Sequence, residues 1–224
     1  NKTVKYRKKE LGKLAQKIAG ARNQIGRLAN ARELIASKIA NNLRASGIDI
    51  SADPVTGKIT IAMDDAFYFG RGSAELTSEA KTALGKIIPL YAQTVLGQQE
   101  DAEKIRAVTI TGHASPRFRK QFVNPEGEDP EAYAYNLGLS MNRAQQIADY
   151  MFGKEIGNYD HKSKLRVLTK ISGAGYMDPV IPANQDNADC GVYSCERSRR
   201  VEINFLLQEP KGFQKDLEKI SNSL

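Results

Sequence analysis

Near the start of the chain, apolar residues recur three and four positions apart. Leu11, Leu14, Ile18, Ala21, Ile25, Leu28, Ile35 and Ile39 keep that spacing with one gap, which predicts one long helix over residues 4–45. Written as heptads, Leu11, Ile18, Ile25, Arg32 and Ile39 fall at a, and Leu14, Ala21, Leu28, Ile35 and Asn42 fall at d. An apolar seam of this length predicts a coiled coil, and a homodimer self-paired through residues 4–45 is the expectation. The alternative is a single amphipathic helix folded onto its own domain. Arg32 and Asn42 on the seam restrict register and strand number at a cost in stability. Gly12, Gly20 and Gly26 weaken the helix, so it depends on a partner.

Beyond Gly47 the period changes. Ile48–Ser51 and Lys58–Met63 flank Asp53-Pro54-Val55-Thr56-Gly57, which predicts a hairpin. Thr77 or Ser78 then caps a helix running to about Leu96, with Leu84, Ile87, Ile88, Tyr91 and Val95 on one face. A strand over Arg106–His113 alternates Val108 and Ile110 with Thr109 and Thr111. A further helix is predicted from Ser140 as N-cap to about Phe152, ended by Gly153, with Leu139 and Ala144 closing a hydrophobic staple. Leu165–Ile171 alternates as a strand. The last strand, Arg200–Leu207, turns Val201, Ile203 and Phe205 inward and Glu202 and Asn204 outward.

The resulting order, β-α-β-α-β-β, predicts an α/β (α+β) fold in which helices pack on a mixed sheet, preceded by the long helix. The divisions are a basic helix at 1–46, a folded domain at 47–208 and a tail at 209–224, amphipathic through Phe213, Leu217 and Ile220.

Composition narrows the function. The 224 residues are 41% hydrophobic, enough for one core with an accessory segment. No apolar run reaches membrane-spanning length, so the expectation is a soluble fragment whose membrane or export segment lies upstream. The net charge of +7 is uneven. Residues 1–45 hold twelve of the 33 basic and two of the 26 acidic residues, a local +10 that leaves −3 for the rest. A nucleic-acid-binding domain would carry its basic residues on the folded part, so no nucleic-acid partner is expected. Lys5, Arg7, Lys8 and Lys9 instead suit a stretch close to an anionic membrane surface. Cys190 and Cys195, with four residues between them, point to a local disulfide and an oxidising compartment, with two free thiols as the alternative. His113 and His161 supply no ligand pattern near them, so neither a metal nor a cofactor is expected.

The candidate binding chemistry centres on Tyr135–Ala144. With Ser140 as N-cap, Arg143 falls in the first turn, and a guanidinium beside free backbone N–H groups suits an incoming carboxylate. Asn136, Leu139, Ser140, Arg143 and Ala144 form Asn-x-x-Leu-Ser-x-x-Arg-Ala, which resembles the signature of the OmpA/MotB-type peptidoglycan-binding domain. The resemblance extends over roughly residues 58–207. Phe67-Tyr68-Phe69-Gly70-Arg71-Gly72-Ser73-Ala74-Glu75-Leu76 is similar to the family's Phe-x-x-Gly-Ser-x-x-Leu segment after the first strand, and Thr111-Gly112-His113 to the Gly-His that ends its second. Ser172–Gly175 with Pro179 resembles its Gly-x-Gly…Pro stretch. Ser198-Arg199-Arg200-Val201-Glu202-Ile203 resembles its closing run, with Ser198 in place of Asn.

The resemblance implies a non-catalytic domain that grips the diaminopimelate of the peptidoglycan stem peptide, the Arg holding its zwitterionic end with an Asp. His113, Ser115, Tyr135, Asn136, Leu139, Ser140, Arg143 and Arg199 are the implied site residues. Ser115 stands where the family Asp belongs, and the link from Ser115 to Asn136 is longer than usual. Glu126, Glu128, Asp129 or Glu131 on that link are candidates for the missing carboxylate; the alternative is a solvated acidic turn. A basic helix ahead of such a domain is similar to MotB-type stator proteins, including subunits of Zorya-type phage-defence motors. That implies a periplasmic dimer anchored in the inner membrane beside a motor subunit. The competing expectation is a structural or signalling dimer that has lost ligand binding. A hydrolase built on His113 and Ser115 is not expected, because no third group orienting the His is visible and there is no nucleophile elbow.

Overall fold

A computed structural model describes residues 2–47, 51–53, 58–61, 69 and 73–209, and positions 215, 218, 220 and 221 of the tail. The hairpin turn at 54–57, Gly70-Arg71-Gly72, and Phe213 and Leu217 lie outside the described residues.

Helix α1 runs Lys2–Ala45, as its spacing predicts. The strands β1 (Ser51–Ala52) and β2 (Lys58–Ile61) follow. Helix α2 (Ser78–Leu96) starts at Thr77, whose hydroxyl accepts from the Ala80 N–H, and short α3 (Gln99–Lys104) leads into β3 (Ile105–Gly112). A small hairpin, β4 (Arg117–Phe118) and β5 (Gln121–Phe122), precedes α4 (Pro130–Phe152). Then come α5 (Lys162–Leu168), β6 (Thr169–Gly173), α6 (Cys195–Ser198) and β7 (Val201–Leu207).

The main sheet has the order β1-β2-β7-β3-β6. β3 and β6 are parallel neighbours, joined by the α4 crossover, and the other pairs are antiparallel. This is the mixed sheet with packed helices that the pattern predicts. The core forms where α2 (Leu84, Ile87, Ile88) and α4 (Ala144, Ile147, Met151) cover Val108 and Ile110 of β3 and Val201, Ile203 and Phe205 of β7. Tyr91 of α2 is buried there as well, and burial pushes its phenol well above the ordinary tyrosine range.

Three local expectations are corrected. Leu165–Ile171 is not one strand: Leu165 reaches the core from α5 while Val167 is 82% exposed, and pairing with β3 begins at Thr169. A short helix with one buried apolar position mimics alternation there. Glu202 does not face solvent; it is buried beside Arg200. The third concerns α1. Ile35, Ala36, Ile39 and Leu43 sit in the domain's own core. Asn42 donates from Nδ2 to Thr94 Oγ1 at 2.9 Å, and Lys38 Nζ lies 2.5 Å from Asp101 Oδ2. The last two turns of the predicted seam are thus occupied within one chain. Leu11, Ile18 and Ile25 stay 66%, 42% and 54% exposed.

Candidate functional site

Helix α4 begins eleven residues earlier than its motif implies, with Asp129 rather than Ser140 as N-cap. Asp129 Oδ1 accepts from the Ala132 N–H at 2.9 Å, Pro130 opens the first turn and Glu131 sits within it. An Asp N-cap with Pro at the first helical position is a strong start signal, one that the sequence carries plainly. Ser140 is therefore not an N-cap, and Leu139 forms no staple; it is half-buried in mid-helix. Arg143 lies roughly 20 Å along the axis from the helix start, so first-turn N–H groups do not assist it.

Ser140 joins helix to sheet. It is fully buried, donates to Leu137 O at 2.9 Å and accepts from the Gly175 N–H at 2.9 Å. Glycines make this approach possible. A Cβ at Gly112 would lie 1.9 Å from Ser140 O, and one at Gly173 would lie 2.7 Å from Ser140 Oγ. The Gly-His and Gly-x-Gly segments and the Leu-Ser pair of α4 thus meet at the ends of β3 and β6, where Ala114 N–H also donates to Gly175 O at 2.7 Å.

Arg143 projects from the same helix and is only 2% exposed. Its Nε donates to Ser73 O at 3.3 Å, and its guanidinium lies 5.3 Å from the centroid of the Phe69 ring. Phe69 and Ser73 belong to the segment singled out after the first strand. Asn136, also buried, donates from Nδ2 to Ala132 O at 3.0 Å and to Arg117 O at 3.2 Å. Tyr135 is half exposed and packs against Phe118, with centroids 5.4 Å apart. Ser115 is nearly buried, and its carbonyl accepts from the Arg117 N–H at 2.7 Å.

A second cluster adjoins the β3 end. Arg200, buried, donates from Nε to Glu202 Oε1 at 2.6 Å and from Nη2 to Asp178 Oδ2 at 2.7 Å. His113, 3% exposed, turns Nε2 toward Glu202 (3.5 Å) and Nδ1 toward Asp178 (3.7 Å). Both distances exceed a hydrogen bond. Carboxylates thus do flank the histidine, unlike the expectation from sequence. No hydrogen bond joins His113 to Ser115 among the described residues, and both ring nitrogens face the carboxylates. The His113, Asp178 and Glu202 ligand atoms lie within 4.8 Å of one another. Arg200 already places a cation on both carboxylates, however, and the two imidazole nitrogens face different acids. With its two acids bridged by one guanidinium, the cluster reads as a brace rather than a metal site.

The long link after Ser115 is ordered by contacts at both sides. Arg119 pairs with Glu131 at 3.2 Å, and Arg117 Nη2 donates to Asp189 O at 2.6 Å. Phe122 stacks on Tyr193, centroids 6.4 Å apart. Cys190 and Cys195 form the expected disulfide, and the Asp189 carboxylate accepts from the Cys195 N–H. Of the link's acids, Asp129 caps α4 and Glu131 holds Arg119; Glu126 and Glu128 lie exposed. Arg199 is half-buried on the approach to β7. Within the described residues, no helix is long and apolar enough to cross a membrane.

Among solved structures, a MotB-like protein from Desulfovibrio vulgaris is similar at 19% identity, with a TM-score of 0.51 over 83% of this chain and 96% of that one. The periplasmic domain of Helicobacter pylori MotB is 13% identical (TM-score 0.45, 78% and 98% covered). The cell wall anchor of the T6SS from Pseudomonas aeruginosa is 20% identical (TM-score 0.43, 78% and 97% covered). No curated protein sequence matches. At 19% identity the first of these likenesses concerns the fold alone. The family model is more specific: that of the OmpA family matches residues 68–189, more than half of the sequence, including the β3 end, the α4 motif and the Gly-x-Gly turn, and the chain belongs to the OmpA family.

Proposed function

We propose that the protein is a non-catalytic, periplasmic anchor that binds peptidoglycan, with Arg143 gripping a stem-peptide carboxylate. The observation that carries this reading is the convergence of Arg143, Ser140 and Asn136 of α4 with the β3 end and the Gly173–Gly175 turn. Ser73 O and the Phe69 ring orient the guanidinium. The 3.3 Å contact to a neutral carbonyl is long, and a carboxylate would exchange it for a charge-assisted, bidentate one. Tyr135 and Asn136 shape the approach. In the fuller form of the proposal the protein serves a MotB-like, ion-driven stator of flagellar or Zorya-type character. It is paired as a dimer through α1 and held at the inner membrane beside a motor subunit.

A second reading, an OmpA-fold dimer with structural or signalling work and no ligand, is favoured by Ser115 and by the burial of Arg143. Co-sedimentation with purified sacculi separates the two. Retention in the pellet supports the anchor, and its absence supports the second reading. Glycan and stem peptides recovered intact afterwards fit binding without chemistry.

A further inference from the structure

The hairpin inserted between Ser115 and α4 creates a cleft of 390 Å³ along β5, bordered on its far side by residues 124–131. We propose that this cleft is a saccharide subsite that takes a neutral N-acetylated segment of the glycan strand. The choice of glycan rests on the cell-wall reading above.

Charge decides first. Glu128, Asp129 and Glu131 line one wall, and the cation among the lining residues, Arg119, is held by Glu131 at 3.2 Å. Phosphates, nucleic acids and other anions are therefore repelled. Chemistry decides second. The Phe122 ring, 46% exposed, borders the opening, and Phe118 borders it from the other face of the hairpin. The amides of Gln121 and Asn124 stand beside these rings, and Asn124 spends its carbonyl on the Glu126 N–H, leaving its NH₂ to donate. Ring carbon beside amides and carboxylates suits a ligand with C–H faces and a rim of hydroxyl and acetamido groups, as a neutral sugar has.

The hairpin is also built against a local preference. Its two-residue tip, Arg119-Lys120, has φ of 50° and 69°, the left-handed geometry that Asn-Gly usually takes. At this tip Arg119 lies 4.8 Å over the Phe118 ring and forms an exposed pair with Glu131. Asn136 ties the hairpin to α4 through Arg117 O.

Calorimetric titration tests this with two separate probes, chitotetraose without peptide and a diaminopimelate-containing stem tetrapeptide without sugar. Wild type should bind chitotetraose, Phe122→Ala should weaken it at least 10-fold, and exposed Glu128→Gln should weaken it several-fold without touching the packing. Failure of the wild type to bind chitotetraose, or equal binding by both cleft variants, overturns the subsite. Failure to bind the tetrapeptide alone overturns the Arg143 reading and leaves the saccharide subsite standing. Binding of the tetrapeptide in the cleft, lost in Glu128→Gln while chitotetraose is ignored, would make it an ammonium site and overturn the proposal.

Discussion

The two ends of α1 carry one apolar pattern and meet different surroundings. Ile39 continues the a series of Leu11, Ile18 and Ile25, and Ile35 the d series of Leu14, Ala21 and Leu28, yet they are 0% and 1% exposed within a single chain, against α2 and the sheet. Leu11, Ile18 and Ile25 stay largely exposed among the described residues. A heptad pattern says that a face must be covered and leaves the partner open. Specific polar contacts mark the difference: Asn42, a register-setting d residue by pattern, bonds Thr94, and Lys38 reaches Asp101.

The comparison breaks most sharply at Ile39. A carboxylate there has no partner in the core, so Ile39→Asp should cost about 3–5 kcal/mol and lower the thermal midpoint of the whole domain. A melt unchanged within error would show that the end of α1 is not part of the core. Removing Lys38 is milder. Asp101 is 5% exposed and keeps a second cation, Lys104, at 3.6 Å. Lys38→Ala should cost about 1–2 kcal/mol by chemical denaturation, and a null effect would make the pair ornamental. For the exposed end, Ile18→Asp with Ile25→Asp should turn a dimer into a monomer by sedimentation while the domain's melt stays near wild type. A monomeric wild type would remove the seam from the account. The smallest effect belongs to the glycines. Nothing lies within 4 Å of a Cβ added at Gly12, Gly20 or Gly26. Each Gly→Ala change should stabilise α1 by up to about 1 kcal/mol, read as a gain in helical circular dichroism. A loss would mean that a paired helix needs those gaps.

Elements with one strong periodicity were legible in the sequence: α1, α2 with its Thr77 cap, β3 and β7. So was the disulfide, because two cysteines so close have little else to do. The motif around Arg143 was legible as a family signature, and its physical reading was not. Ser140 looked like a helix start because small polar residues favour N-caps, but its hydroxyl also fits where a helix meets glycines of two strands. That role depends on Gly112 and Gly173, which are distant in sequence. The true start, Asp129-Pro130-Glu131, was readable locally and was overshadowed by the motif's Ser140, eleven residues after Asp129. Glu202 shows the same limit. Alternation put it outward, and Arg200, brought beside it by the fold, makes burial of its charge tolerable.

The proposed anchor depends on Arg143 holding the cell wall. Sacculus binding by wild type, Arg143→Ala and Arg143→Lys tests it directly, with circular dichroism confirming that each variant is folded. A charge-assisted bidentate contact is worth roughly 1.5–3 kcal/mol, so Arg143→Ala should bind about 10- to 100-fold more weakly. Arg143→Lys should recover only part of that, because an ammonium cannot present the planar fork. Wild type and a folded Arg143→Ala protein binding sacculi equally well would contradict the account.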